Sequence, residues 1–200
     1  MSNVYYVLPL GRMEANCYIV DCGGGTAAVI DPGDEPEKIE NEVDRIGLTV
    51  GAVLITHGHF DHVGAARAIN ERYGCPVLRA DGDDGLPPSL AGDGFCTGRY
   101  GDGDTVKVGE SVFRVISTPG HSRGSVCLEC GDLLFTGDTL FRGACGRVDF
   151  PGGSIKEMRL SLARLAALAG DRTVLPGHGD ATTLDCERKS NPYMIKAAQR

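Results

Sequence analysis

The sequence predicts an α+β fold in which helices cover the outer faces of two β-sheets. Runs of strand-forming residues alternate with amphipathic helical segments in the order strands, helix, strand, helix, strands, helix, strand. This order suits two packed sheets with helices outside them. Hydrophobic residues make up 42% of the 200 residues, which is enough for a buried core. No composition shift divides the chain, so we expect residues 1–200 to form a single domain.

The N-terminal third predicts an antiparallel meander followed by a covering helix. Turn residues separate three strand-like runs, which are 4–8, 16–21 and 26–30. The helix begins at Pro36 and Gly47 can end it. Its apolar residues recur at steps of four and three and so share one face: Ile39, Val43 and Ile46.

The middle of the chain predicts a strand, a loop and a helix, followed by irregular structure. Residues 50–56 form a continuous β-type run that leads into a histidine-rich loop, and a helix is expected over 63–73. Residues 81–103 are rich in Gly, Asp and Pro and show no apolar periodicity. We expect an irregular insertion there, and it is a candidate lid.

The second half predicts another meander and further helices. Its strands are 105–108, 111–118, 125–130 and 133–136, with a last strand at 173–175. Ser154 and Glu157 have capping-box spacing and therefore start a helix that Gly170 can stop. Apolar residues define one face of this helix: Ile155, Met158, Leu162, Leu165 and Ala169. A short helix is also expected over 192–200.

Charge and hydropathy limit the partners. The formal net charge of −7 repels phosphate backbones, so we expect no nucleic-acid binding. No apolar run reaches about 18 residues, and the N-terminus lacks the pattern of a secretory signal. We therefore expect a cytoplasmic protein that does not bind membranes.

The eight cysteines are scattered along the chain. Without a secretory signal, reduced thiols are expected. Cys127 and Cys130 have the spacing of a zinc-ribbon or redox pair, but no second such pair exists in the sequence. Two thiols within a strand are the alternative interpretation of this pair.

Three of the five histidines lie within six residues, in the pattern His57-x-His59-x-Asp61-His62. At 5 histidines in 200 residues, chance produces this spacing in roughly 0.003 of such chains. Imidazole nitrogen binds zinc, iron or manganese. In an extended loop, alternation would point His57 and His59 the same way, while Asp61 and His62 would face a second position.

The remaining candidates follow predicted strands. His121 comes after Thr118-Pro119-Gly120, Asp138 after Gly137, and His178 after Pro176-Gly177. Sites built on a sheet scaffold usually lie at such strand-to-loop junctions. Structural roles, such as a turn-capping Asp or a buried His bonded to a carbonyl, are the alternatives for Asp138 and His178.

Taken together, these motifs resemble the metallo-β-lactamase superfamily over nearly the whole chain. Within it, residues 146–153 (Gly-Arg-Val-Asp-Phe-Pro-Gly-Gly), 176–179 and Asn191-Pro192 resemble the small type II glyoxalase-like hydrolases of bacteria. The resemblance implies a four-layer αββα sandwich of two mixed sheets, with the metal site at one edge. An aspartate at position 138 is unlike the best-known zinc β-lactamase subclass, which has cysteine there.

The resemblance also implies the ligand set and the chemistry. His57, His59 and His121 would hold a first divalent ion, Asp61, His62 and His178 a second, and Asp138 would bridge the two. Zinc is the expected metal, and iron or manganese would suit the same donors. The nucleophile would be a hydroxide shared by both ions, oriented by Asp61 as the main catalytic residue.

The expected substrate is a small-molecule acyl-thioester of the S-lactoylglutathione type. A thiolate leaves readily, so the absence of an obvious general acid is no obstacle. Arg147 could hold a substrate carboxylate, although a solvated surface arginine is the alternative. The chain ends at Arg200, without the helical domain that supplies glutathione contacts in full-length glyoxalase II enzymes. Another thiol carrier therefore stays open.

Three other functions are compatible with parts of the pattern. Persulfide dioxygenases share the fold and resemble residues 145–150, and they would hold one iron at His57, His121 and Asp138. Their last motif is Pro-Ala-His-Asp, whereas this chain has Pro-Gly-His-Gly at 176–179, which favours the hydrolase. RNA-processing nucleases of the superfamily conflict with the acidic charge. A non-enzymatic binding module would have no use for two ions with an open position.

Overall fold

Two six-stranded sheets pack face to face, with helices on both outer surfaces. A computed structural model describes residues 4–199. In the first sheet the strands lie in chain order: β1 (Tyr5–Leu10), β2 (Ala15–Asp21), β3 (Thr26–Ile30), β4 (Thr49–Leu54), β5 (Val77–Arg79) and β6 (Gly98–Arg99). The pairs β1–β2 and β2–β3 are antiparallel, and the pairs from β3 to β6 are parallel. The predicted N-terminal meander is therefore confirmed.

The second sheet has the order β14-β13-β10-β9-β8-β7. Its members are β7 (Thr105–Val108), β8 (Ser111–Ser117), β9 (Val126–Cys130), β10 (Leu133–Gly137), β13 (Thr173–Pro176) and β14 (Thr182–Thr183). Strands β7 to β10 form the second antiparallel meander, and β13 then pairs parallel with β10. A separate hairpin joins β11 (Leu140–Phe141) to β12 (Ala144–Cys145).

Six helices accompany the sheets within residues 4–199: α1 (Pro36–Arg45), α2 (Phe60–Val63), α3 (Ala66–Tyr73), α4 (Ile155–Ala166), α5 (Leu184–Ser190) and α6 (Pro192–Ala198). Helices α1 and α3 bury Ile39, Val43 and Ile69 on the outer face of the first sheet. Helices α4 and α6 bury Leu162 and Met194 on the outer face of the second. The four-layer αββα sandwich of two mixed sheets is therefore confirmed.

The main core lies between the sheets and follows from the alternation of side chains along each strand. In β2, Tyr18 and Val20 face the second sheet, where Phe113 and Phe135 meet them. The intervening Ile19 faces the outer helical layer. Because both faces of this strand are covered, it is apolar at almost every position rather than alternating.

Two predicted helices differ from the structure. The helix expected over 63–73 is divided into α2 and α3 around Gly64. Helix α4 begins at its predicted cap, where Ser154 Oγ accepts a hydrogen bond from Glu157 N at 3.3 Å. It ends at Ala166, so Ala169 lies beyond it, and Ile155 in its first turn is 58% exposed. The buried face is therefore shorter than the apolar periodicity suggested.

Two other features lay outside the predicted pattern. Helix α5 was not predicted, because its sequence LDCERKS has no apolar stripe and is stabilised by a Thr183 cap. Residue 200, the predicted end of the last helix, lies outside the described residues. The insertion at 81–103 is partly ordered into secondary structure, with a 3-10 turn at Asp81–Asp83 and the edge strand β6.

The Cys127 and Cys130 side chains lie on opposite sides of β9. Cys127 packs among the residues under α4, whereas Cys130 belongs to the core between the sheets. Residues three apart in a strand face opposite ways, so the two thiols cannot hold one metal ion together. No disulfide bond links any cysteines in the described range 4–199.

Within residues 4–199, no helix has the length and apolar character needed to cross a bilayer.

Candidate metal centre

Four strand ends meet at one edge of the sandwich and bring the predicted ligands together. His57 follows β4, His121 follows β8, Asp138 follows β10 and His178 follows β13. The parallel register of β10 and β13 places Gly137 beside Pro176, and Gly177 N donates a hydrogen bond to Gly137 O at 2.9 Å. Carboxyl ends of parallel neighbours lie at the same edge, which is why residues 40 positions apart share this site.

The first cluster contains His57, His59 and His121. One ring nitrogen from each lies within 4.8 Å of the others, and all three side chains are buried. His59 Nδ1 and His121 Nε2 face each other at 2.9 Å. This geometry gives three imidazole nitrogens directed at one point, which is a donor set suited to a divalent cation.

The second cluster contains Asp61, His62 and His178. His178 Nε2 lies 3.4 Å from both Asp61 Oδ2 and His62 Nε2. Asp61 and His62 project from the first turn of α2, since the extended loop ends at His59. The helical turn, rather than strand-like alternation, therefore separates this pair from His57 and His59.

Asp138 lies between the two clusters. Its Oδ2 is 3.5 Å from His121 Nε2 in the first cluster and 3.8 Å from His178 Nε2 in the second. Its Oδ1 is 3.6 Å from His62 Nε2. One carboxylate is therefore within reach of both positions.

Three buried polar atoms in or between these clusters lack a hydrogen-bond partner, and two of them fit a bound cation. His57 Nε2, His59 Nε2 and Asp138 Oδ1 have no hydrogen-bond partner among residues 4–199. A buried polar atom without a partner costs free energy, and such a group in a folded protein calls for an explanation. A divalent ion at the convergence point would supply the missing partner for His57 Nε2 and Asp138 Oδ1, whereas His59 faces the cluster through Nδ1.

The outward nitrogens of three ligands are each held by an oxygen atom. His62 Nδ1 lies 3.0 Å from Asp31 Oδ2, His121 Nδ1 2.8 Å from Arg147 O, and His178 Nδ1 3.1 Å from Met13 O. A ring N–H that donates outward leaves the other nitrogen with its lone pair directed into the centre. The surrounding oxygens therefore select the tautomer that can bind a cation.

The two clusters differ in their ionisation. Burial, together with the neighbouring imidazoles, lowers the pKa of His57 well below its ordinary value and that of His59 to about 4. Burial also opposes the charged form of His62, but Asp138 and Asp31 outweigh it and raise its pKa to about 9. His57 and His59 are thus neutral at pH 7, whereas carboxylates surround His62 in the second cluster and favour its charged form.

Asp31 is a supporting residue that the motifs of the sequence did not single out. It follows β3 in an unusual left-handed conformation with φ of 51°. Its carboxylate accepts hydrogen bonds from Thr56 N at 2.7 Å and Thr56 Oγ1 at 2.6 Å, besides facing His62. The available signal in the sequence was the position of Asp31 directly after β3, because the next strand, β4, leads into the His-rich loop.

Asp83 is a second supporting residue, and it was hidden in the irregular insertion. It is 4% exposed, and its carboxylate accepts hydrogen bonds from Gly58 N at 2.7 Å, Gly124 N at 2.8 Å and Ser122 Oγ at 2.9 Å. Gly58 separates two first-cluster ligands, and Ser122 follows the third. Asp83 therefore ties together both loops of the first cluster.

Two glycines are required by close approach. A Cβ on Gly177 would lie 2.3 Å from Asp138 Oδ1 and 2.7 Å from His62 Cε1. A Cβ on Gly58 would lie 2.8 Å from Asp83 Cβ. The structure shows that the absence of a side chain at Gly58 admits the supporting carboxylate of Asp83.

The clusters open into a cleft of about 350 Å³. Arg147 lines it, as expected for a substrate contact, but its guanidinium donates to Asp149 through Nε at 2.8 Å and Nη2 at 2.7 Å. The same guanidinium lies 3.9 Å from the ring centroid of Phe150. The role of Arg147 in binding a substrate carboxylate stays a prediction.

Comparison with known proteins agrees with this geometry. The family model of the metallo-beta-lactamase superfamily matches residues 10–178. A hydroxyacylglutathione hydrolase, GloC of Haemophilus influenzae, is 31% identical over 94% of this chain and 96% of its own length. A probable metallo-hydrolase, YqgX of Bacillus subtilis, is 34% identical over 94% of this chain and 95% of its own.

Solved structures show the same fold. The protein TTHA1623 in a di-iron-bound form matches with a TM-score of 0.85 and 36% identity, covering 94% of this chain and 99% of that one. The BLEG-1 B3 metallo-beta-lactamase matches with a TM-score of 0.86 and 29% identity, over 96% and 99%. ETHE1 from Myxococcus xanthus matches with 0.82 and 29%, over 98% and 85%. The family model spans most of the chain, and the His/Asp clusters of the chain are suited to divalent cations. This protein therefore belongs to the metallo-beta-lactamase superfamily.

Proposed function

We propose that this protein is a binuclear-metal-dependent hydrolase of thioesters of the S-lactoylglutathione type. The observation that carries the proposal is the meeting of two three-residue clusters at Asp138. Two named relatives support it, one as a hydroxyacylglutathione hydrolase and one as a probable metallo-hydrolase. A structural neighbour with 36% identity was solved in a di-iron-bound form, which supports a two-metal centre.

In this proposal, the first cluster and Asp138 hold one ion, while the second cluster and Asp138 hold the other. Zinc is the ion we propose, and the nitrogen and oxygen donors would also accept iron or manganese. When bound, divalent ions at these positions would supply a water of lowered pKa and a Lewis acid for the carbonyl oxygen. The protein contributes the position, the orientation and the proton acceptors around that water.

Asp61 is the residue to which we assign orientation of the attacking water. Burial opposes its charge, but the hydrogen bond with His178 and the proximity of His62 lower the pKa of Asp61 to about 2. It is therefore a carboxylate at pH 7 and can accept a proton-bearing O–H at the centre. All five histidines of the sequence lie in the two clusters, so no imidazole is left as a general acid. A thiolate leaving group needs none, which favours thioesters over amides.

A second candidate function is persulfide dioxygenation, which the match to ETHE1 favours. One iron at His57, His121 and Asp138 would have two histidines and one carboxylate on the same side. The convergence of Asp61, His62 and His178 would have no catalytic use with a single ion there. We therefore favour the hydrolase.

The test is elemental analysis of metal per chain on protein purified without chelator, with hydrolysis of S-lactoylglutathione and oxygen uptake with glutathione persulfide measured in parallel. Near two metals with thioester cleavage supports the proposal. One iron with oxygen consumption supports the dioxygenase instead.

Two variants sharpen this test. His178→Ala removes a second-cluster ligand and should lower the metal content to about one, with loss of hydrolysis. Asp180→Ala is the matched control, since its side chain is 81% exposed and lies two residues away. It should keep both metal content and activity. Full hydrolysis by a His178→Ala protein with one metal would refute the binuclear mechanism.

A further inference from the structure

A ring of apolar side chains surrounds the opening of the metal centre. Besides cluster ligands and Arg147, the cleft is lined by Met13, Phe60, Leu90, Phe141 and Phe150. Phe60 is 44% exposed and Met13 is 54% exposed. Single exposed apolar residues are common, but a concave apolar group around polar atoms is typical of a ligand cleft.

Three side chains or backbones of this apolar ring contact the candidate metal ligands directly. Phe150 packs edge-on against His59, with ring centroids 5.8 Å apart, and Phe141 packs edge-on against His178 at 6.3 Å. Met13 is held by the hydrogen bond of its carbonyl to the His178 ring. The same elements that position the ligands therefore position the apolar walls.

The insertion supplies the remaining wall. Phe60 N donates a hydrogen bond to Leu90 O at 2.9 Å, and an isolated antiparallel bridge joins His59 to Ala91. These contacts fasten the insertion to the His-rich loop and place Leu90 at the cleft. The candidate lid thus forms a fixed part of the cleft in this structure.

The charge of the cleft outside the ligand clusters is internally neutralised. Apart from Asp138, which lies between the clusters, Arg147 is the one other charged residue in the lining among the described residues 4–199. Asp149 accepts from both of its guanidinium nitrogens, as given above. An anionic substrate group would meet a guanidinium whose Nε and Nη2 are already bound to Asp149 and would be repelled by that carboxylate, whereas an apolar group finds five apolar side chains.

We propose that the cleft selects thioesters whose acyl group is apolar and uncharged, four to six carbons being preferred over two. This inference rests on the proposed function and names the substrate class of that site. The apolar ring flanks both clusters, and in the orientation we propose the thioester carbonyl lies between the clusters with its acyl group against the ring. Leu90 and the Arg147–Asp149 pair are then specificity-determining.

The apolar area that the acyl chain buries in the cleft determines how strongly hexanoyl should be preferred over acetyl. A fully buried methylene is worth about 0.8 kcal/mol, or about fourfold in kcat/KM. Hexanoyl has four more methylenes than acetyl, and half burial of these predicts an increase on the order of 15-fold.

The first measurement is kcat/KM of the metal-loaded protein with acetyl, butanoyl, hexanoyl and succinyl thioesters of N-acetylcysteamine, a small neutral carrier. Hexanoyl should exceed acetyl by about 15-fold, and succinyl should fall below the equally long butanoyl. Equal rates across the series, or a preference for succinyl, would overturn the inference while leaving thioester hydrolysis established.

A binding measurement separates this inference from the proposed function. S-ethyl, S-hexyl and S-carboxypropyl N-acetylcysteamine are thioethers and cannot be hydrolysed. Calorimetric titration into chelator-treated protein should rank S-hexyl as the tightest and S-carboxypropyl below it. That ranking without hydrolysis of any thioester would refute the proposed function but keep the apolar cleft. No preference for S-hexyl would refute the inference.

Matched variants test the residues. Leu90→Asn changes a cleft wall at nearly constant size and should lower the hexanoyl-to-acetyl ratio at least fourfold, the value of one buried methylene. Leu160→Asn is its control, because Leu160 is 43% exposed on α4 and does not line the cleft. Asp149→Asn should raise the succinyl-to-butanoyl ratio by releasing Arg147. Unchanged ratios in both Leu90→Asn and Asp149→Asn would overturn the assignment.

Discussion

Removal of the Asp83 carboxylate should destabilise the protein more than removal of any exposed aspartate nearby. Asp83 is buried and receives hydrogen bonds from two backbone amides, Gly58 N and Gly124 N, and from the Ser122 hydroxyl. In Asp83→Ala both amides lose their acceptor, while Ser122 keeps Ser125 Oγ as a partner at 2.8 Å. The variant therefore strands two buried N–H groups.

The magnitude follows from those two groups. Each buried donor without a partner costs about 1–3 kcal/mol, so Asp83→Ala should lower the free energy of unfolding by about 2–6 kcal/mol. This is a large part of the roughly 5–15 kcal/mol that stabilises a typical domain. Asp83→Asn keeps one acceptor oxygen for one of the amides and should cost about half as much.

The assay is urea unfolding of chelator-treated protein, with Asp81→Ala as the matched control. The Asp81 side chain is 78% exposed, and its contact is an ion pair with Arg99 at 3.2 Å. Such a surface pair contributes about 0–1 kcal/mol. If Asp83→Ala and Asp81→Ala unfold within 1 kcal/mol of each other, about the size of that surface term, the assignment of Asp83 as a clamp is wrong.

The same variant should weaken metal binding. Asp83 holds the loops that carry the first cluster, and loss of such outer support typically lowers metal affinity 10- to 100-fold. Competition with a chromogenic chelator should show this loss in Asp83→Asn at a temperature where the variant is fully folded. Unchanged affinity there would limit Asp83 to a role in stability.

Three further predictions concern the ligands, their support and the cysteines. Asp61→Ala should abolish hydrolysis while at least the first metal stays bound, and retained turnover would remove Asp61 from the mechanism. Asn16→Ala deletes two hydrogen bonds, to Pro176 O at 3.0 Å and Gly179 O at 2.9 Å. This variant should loosen the loop that carries His178 and lower the occupancy of the second metal in elemental analysis. Unchanged occupancy would show that other contacts suffice to hold the loop. Replacing Cys127 and Cys130 together with alanine should leave metal content unchanged, and loss of one metal per chain would contradict the opposed placement of the two thiols.

The elements that periodicity predicted best are those whose burial is regular. The antiparallel meanders and α1 repeat their apolar residues at the period of their own backbone, so local pattern and tertiary packing agree. Helix α5 has no apolar stripe and was missed. Helix α4 was predicted to be longer than it is, because Ala169 continues the apolar periodicity although the helix ends at Ala166.

The candidate metal ligands could be named from the sequence because they lie in short motifs at strand ends, and their role as ligands stays a prediction. A sequence shows that His121, Asp138 and His178 each follow a strand. It does not show that β10 and β13 are parallel neighbours, which places Asp138 beside His178. That proximity depends on strand order, which long-range packing decides.

The amino-acid sequence by itself determined the order of strands and helices, the two groups of candidate ligands and the family resemblance, because those features depend on local periodicity and short motifs. Tertiary structure alone decided the roles of Asp31 and Asp83, the opposed faces of Cys127 and Cys130, and the pairing of Arg147. The physical reason is the same in each case. A carboxylate, a thiol or a guanidinium acquires its role from the groups that the fold brings within hydrogen-bond distance, and those groups lie far away along the chain.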